Sequence, residues 1–192
     1  MSELLAVLLF VSLIVGIAAA TWNSARGRLQ STTAARVTEA MIQRARMQAI
    51  YRNLNHFILL EPGTGRLALF ADTGGQAGEL DMDDQLVATQ HLAQSVGLAL
   101  PPGTLVDPLS GGTLSSAWTM PVPSGGAWTT GQRGMMVTPR GAFQSAQSEP
   151  QSIVAGTIVF STPRNDTAAV TLRGSLGAVR AFEYFNGQWK EM

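Results

Sequence analysis

The side chains in this chain that are able to do chemistry are few, and most are carboxylates. Glu79, Asp81, Asp83 and Asp84 bring together oxygen donors of the kind a calcium ion takes, but the glycine and glutamate spacing of a helix-loop-helix calcium site is missing. Carboxylates just ahead of a helix satisfy its free N–H groups and its dipole, and that is the role assigned to them. His56 and His91 have no carboxylate or second histidine at ligand spacing and read as packing or surface residues. Cysteine is absent, which removes disulfides, thiolate metal sites and cysteine nucleophiles. Neither a nucleophile elbow, a phosphate-binding glycine loop nor a zinc-protease helix is present. The expectation is a chain that is not an enzyme and carries no cofactor and no metal. Thirteen basic and thirteen acidic residues cancel, and only 14% of residues are charged, so no field of one sign steers it toward nucleic acid.

One further carboxylate stands apart. Glu3 precedes Leu4 to Ala20, a run without a charged residue that ends at Thr21-Trp22-Asn23. The run has the length of a short transmembrane helix and slightly exceeds a signal-peptide core. Ala18-Ala19-Ala20 imitates a cleavage site, but a signal peptide starts with basic residues and none precedes the run. A carboxylate beside or within lipid costs at least a few kcal/mol unless it has a partner or stays at the interface. Glu3 is therefore either an assembly residue awaiting a partner or a helix-start carboxylate at headgroup level. Arg26, Arg28 and Arg36 all follow the run, which on the positive-inside rule alone leaves the remainder of the chain in the cytoplasm.

The elements that carry these residues can be read from periodicity. Val37, Met41, Ala45 and Ala49 recur every four residues with Ala34 and Ile42 beside them, opposite Arg36, Glu39, Gln43 and Arg46. No proline occurs before Pro62, so one helix is expected from near Ser2 to about Arg52, about 75 Å at 1.5 Å per residue. Residues 4–20 would be its transmembrane part and 24–52 its amphipathic part, with Gly16 and Gly27 as soft points. After a stop at Asn53 to Asn55, His56–Glu61 and Arg66–Asp72 flank Pro62-Gly63-Thr64-Gly65 as a β-hairpin. Thr73 to Gly78 reads as a loop and Gln85 to Val96 as a short helix closed by Gly97. Residues 101–151, rich in Pro, Gly, Ser and Thr, read as long loops with short strands such as Met135 to Thr138. Trp118 and Trp128 in that region are either exposed anchors for a partner or fold back over the sheet, the second being preferred. Ile153–Ser161, Ala168–Arg173 and Ala178–Phe185 are strands, and Asn186-Gly187 turns the chain so that Gln188-Trp189-Lys190 pairs with the last of them. The fold class is α+β: residues 1–53 a long helix, residues 54–192 a β-rich globular domain.

Ser2-Glu3-Leu4-Leu5-Ala6-Val7-Leu8 resembles the start of type IV pilins and type II secretion pseudopilins, where a glutamate opens a hydrophobic helix just after the prepilin processing point. Ala45–Asn53, Phe70-Ala71-Asp72, Leu100-Pro101-Pro102-Gly103 and Ile158-Val159-Phe160-Ser161 are similar, in the same order, to the H-type minor pseudopilins and the FimT-like minor pilins. The likeness covers roughly the first 72 residues well and the last 40 loosely, leaving the middle without support. It implies a structural subunit of a pseudopilus or type IV pilus, in the bacterial inner membrane with its C-terminal domain in the periplasm. Its partners would be other pilin or pseudopilin subunits through the N-terminal helix, inner-membrane lipid, and prepilin peptidase where a leader exists. Glu3, Leu4 and Leu5 would be the assembly residues, with Glu3 pairing the α-amino group of a neighbouring subunit. A basic leader ahead of Glu3 would resolve the orientation, so the true start is expected upstream of Met1.

Two other readings stand beside this one. Some FimT-like minor pilins take up DNA through a Gly-Arg-x-Arg element; the comparable stretch here is Asn186-Gly187-Gln188-Trp189-Lys190, with Gln where the first Arg would be. Arg164, Arg173, Arg180 and Lys190 would then form a modest basic patch. The other is an unrelated single-pass protein with a periplasmic domain.

Overall fold

The computed structural model describes residues 2–75, 78–120, 132–144, 154–173 and 177–192. Its first element is one helix, α1 (Ser2–Arg52), unbroken through Gly16 and Gly27. It ends where expected: Asn53 takes a left-handed φ of 53°, the conformation that closes a helix C-terminus and that asparagine tolerates better than most residues. The C-terminal half of α1 buries a stripe of mostly small residues, Gly27, Ser31, Ala34, Ala35, Thr38, Met41, Ile42, Ala45 and Ala49. Their three- and four-residue spacing places them on one face. Small side chains there let the backbone approach the sheets closely.

Two antiparallel sheets receive that stripe. The first runs in the order β3 (Gln85–His91), β2 (Arg66–Ala71), β1 (His56–Glu61), β4 (Arg133–Val137), β5 (Phe143–Gln144). The second is a meander of β6 (Ala155–Ser161), β7 (Thr167–Arg173), β8 (Ala178–Phe185) and β9 (Gln188–Glu191). Strand alternation sends Ile58, Leu60, Leu67, Leu69, Met135 and Val137 from one sheet, and Ile158, Phe160, Val170, Leu172, Val179 and Ala181 from the other, into a core shared with α1. The long helix on antiparallel sheets is the α+β arrangement read from the sequence.

Both expected hairpins form. Glu61 faces Arg66 across the Pro62–Gly65 turn, closed by the Gly65 amide donating to the Glu61 carbonyl at 2.9 Å. Phe185 faces Gln188 across Asn186-Gly187, whose φ angles of 51° and 79° fit a two-residue turn with both central residues left-handed.

The short helix over Gln85–Val96 does not form. Gln85–His91 is instead the edge strand β3, pairing with β2 from Ala71↔Gln85 to Arg66↔His91, so His91 ends a strand. The acidic residues ahead of it hold a loop. Asp84 accepts the backbone N–H of Thr73, Gly74 and Asp81, each at 3.0 Å, and the Gln85 amide donates to Thr73 Oγ1 at 3.1 Å. Capping chemistry of this kind serves any turn with free N–H groups, and the open ladder of β2 then takes the next segment as a strand.

Residues 105–118 of the proline- and glycine-rich middle cover the second sheet, while Arg133–Val137 and Phe143–Gln144 of the same stretch are strands of the first. Leu105 and Leu114 pack on the outward-facing Val159 and Ala169, which is why β6 and β7 are buried on both faces. Asp107 fastens this cover: its carboxylate accepts from Thr157 Oγ1 at 2.6 Å, Ser110 Oγ at 2.7 Å and the Leu109 amide at 3.0 Å. Burial alone would push Asp107 up, but these hydrogen bonds outweigh it and leave the carboxyl below its usual range. Trp118 folds back into the core, its backbone bridging Ile158, in accord with the preferred reading; Trp128 lies outside the described residues.

Candidate functional site

Ahead of Gly27 the helix leaves the body of the protein. Every described side chain from Leu4 to Arg26 is exposed, with Leu4 at 66%, Phe10 at 64% and Trp22 at 72% of full accessibility. As far as Ala19 the described surface is almost wholly apolar, as suits a helix surrounded by lipid or by other helices. Two of its hydroxyls are satisfied within the helix: Ser12 Oγ donates to the Leu8 carbonyl, and Thr21 Oγ1 to that of Ile17 at 3.0 Å. By length and composition α1 can cross a membrane. Of the three assembly candidates, Leu4 is fully on this surface; Glu3 and Leu5 lie in the same helix, and their side chains are outside the described residues.

The contact with the body begins at Gly27. A Cβ there would meet the Asp166 carboxylate, which would have to turn aside, so glycine lets the two approach closely, and the helix passes it without a break. One residue on, Arg28 grips the β8–β9 hairpin. Its Nε and Nη2 both donate to the Glu183 carboxylate, the second at 2.9 Å, and its guanidinium carbon lies 4.2 Å from the centre of the Phe185 ring. The hydrogen bond from Arg28 holds the Glu183 carboxyl below its usual range, and the same bond raises Arg28. Beside this clasp a groove of about 1040 Å³ runs between α1 from Thr21 to Arg36 and the hairpin up to Met192. Nothing in the sequence pairs Arg28 with Glu183 or Phe185, because the partners are separated by most of the chain.

At the other end of the stripe Arg46 departs from its expected place on the solvent side. It is half-buried and donates from Nη1 to the Gly177 carbonyl at 2.8 Å. Gly177, with φ of 59°, packs so closely on Arg46 and Gly141 that no side chain would fit. His56 is fully buried; its Nδ1 is 3.1 Å from the Leu54 carbonyl, and burial pushes its pKa down.

The four cations considered for DNA do not share one surface. Arg173 and Arg180 lie on the outward face of β7 and β8, since Arg180 faces Thr171, two residues from Arg173; both line a shallow pocket with Pro108 and Phe182. Arg180 is bonded to Glu191 at 2.8 Å. Lys190 faces Glu183 and lines the groove beside α1, on the opposite side of the sheet. Arg164 sits in the β6–β7 turn, at the other end of β7 from Arg173. Of the four carboxylates near β3, Asp84 accepts backbone amides as described above and Asp81 accepts the Asp83 amide at 2.8 Å.

No protein family and no curated protein matches the chain in sequence. Among solved structures it is similar to the minor pseudopilin EpsH from the Type 2 Secretion System of Vibrio cholerae. The identity is 11%, the match covers 80% of this chain and 97% of that one, and the TM-score is 0.47.

Proposed function

We propose that this chain is a minor pseudopilin or minor type IV pilin, a structural subunit anchored in the bacterial inner membrane that enters a pseudopilus or pilus through its N-terminal helix. The observation that carries the reading is the division of α1: its first part is apolar and exposed all round, and its second part is bound into the β-rich body along a small-residue stripe. A helix so divided can hold the subunit in lipid first and pack against other such helices afterwards without disturbing the body. The Glu3-Leu4-Leu5 start, similar to that of the pilins, supports the same reading. Glu3 is the register residue: a carboxylate at the head of an uncharged run needs a partner, and the resemblance to the pilins implies another subunit's α-amino group on assembly. In this reading residues 1–53 form the assembly helix and residues 54–192 the periplasmic domain, prepilin peptidase acts on a leader, and the role is structural rather than catalytic.

Glu3→Ala tests it. Incorporation into filaments should be lost while the subunit still sediments with membranes and resists carbonate extraction. Normal incorporation of the variant would overturn the role of Glu3, and a chain extracted by carbonate would overturn the anchor.

A further inference from the structure

The β8–β9 turn lies beside α1 at Arg28, eight residues and about 12 Å past Ala20, where the uncharged run ends. Phe185, 49% exposed, is held there by Arg28, which is bonded to Glu183 and stacked on the Phe185 ring. Trp22, the aromatic residue that closes the apolar run, is six residues before Arg28, about 9 Å along the helix axis. Arg26 is exposed on the intervening turn, and Lys190 lines the groove between α1 and the hairpin. Aromatic rings and long-stemmed basic side chains gathered at one level suit the headgroup layer of a bilayer, where each has an apolar body to bury and a polar tip to keep wet. That layer extends roughly 5–8 Å beyond the hydrocarbon on each side, somewhat less than the axial separation of Trp22 and Arg28. A modest tilt of the helix brings Phe185 into it.

We infer that the β8–β9 turn, Phe185 to Gln188, rests in the phospholipid headgroup layer on the face where α1 emerges, giving the unassembled subunit a second foothold on the membrane. The inference rests on the reading of α1 as the anchor. Its occupant is a lipid surface because the exposed aromatic and basic positions follow the apolar run on the same helix, within the reach that a tilt of the helix gives to the headgroup layer. Arg28 then has a purpose beyond stability, since its clasp fixes the hairpin, and with it the body, at a set angle to the bilayer.

The chain has no cysteine, so a single introduced thiol can carry a probe. The full chain is reconstituted in nanodiscs of phosphatidylethanolamine and phosphatidylglycerol with an environment-sensitive fluorophore at Phe185→Cys or, leaving the Arg28 contact intact, at Gln188→Cys. Met82→Cys is the reference: Met82 is 96% exposed in the loop tied to the far end of α1 by the Asn55–Asp72 hydrogen bond. Headgroup spin-labelled lipid should quench at position 188, and at 185, at least about twofold more than at 82. Quenching at 188 no greater than at 82 overturns the foothold while leaving the anchor in place. A chain that fails to co-elute with the nanodiscs overturns the anchor, and the foothold with it.

Discussion

Arg28 and Glu183, 155 residues apart, are joined by a two-pronged ion pair at the point where α1 enters the body of the protein. The pair fastens the last hairpin to the helix; Gly27 beside it permits the close approach, and Phe185 stacks on the same guanidinium. It governs where the hairpin sits more than whether the protein folds, since Arg28 is exposed and its Coulomb attraction is screened.

Arg28→Ala should therefore leave the unfolding midpoint nearly unchanged and speed amide exchange in β8 and β9 near Phe185. Acid should act likewise. The Glu183 carboxyl lies below its ordinary 4.5 in the folded protein, so its contribution is complete above that value and is lost as pH falls through the depressed folded value. Exchange at the hairpin that is unaltered in the variant would show that β8 and β9 hold their place without the clasp.

His56 makes stability fall on mild acidification. It is buried with its pKa pushed below 6.5, so the folded protein keeps it neutral while the unfolded chain binds a proton as pH drops through about 6.5. Urea midpoints should fall between pH 7.5 and pH 5, and His56→Phe should flatten that slope whatever it does to the midpoint at neutral pH. An equally steep slope in the variant would assign the pH dependence to other groups.

The small-residue stripe sets the distance between α1 and the sheets. Ala45→Leu at a position with no exposure should cost about 1–3 kcal/mol by overpacking, and Ile42→Ala about 2–5 kcal/mol by opening a cavity in the shared core. Thr33→Leu, on the exposed side of the same helix, should change the urea midpoint little. Similar losses at all three positions would show that burial on the stripe does not decide the cost.

Wherever short-range rules act alone, the sequence was sufficient. Four-residue spacing and the absence of proline before Pro62 set α1 from Ser2 to Arg52, and Asn53 ended it. Pro62–Gly65 and Asn186-Gly187 made the hairpins, because turn backbones demand particular residues. The apolar run was legible for the same reason: a helix long and apolar enough to cross a membrane is marked by its composition, which needs no partner to be seen.

What only the tertiary structure decided depends on distant partners. Gln85–His91 carries acceptable helix signals, and it became a strand because β2 presented an open edge while Asp84 spent its carboxylate on a loop. Arg46 looked like a solvent residue until Gly177 came against it, and the cations Arg173, Arg180, Lys190 and Arg164 were divided among surfaces by strand register and turn position. The Arg28–Glu183–Phe185 clasp is of this kind also. Sequence records the preferences of each segment for helix, strand or lipid; which side chains meet is settled by how the helix and the two sheets close on one core, where a contact forms only after everything between its partners has folded.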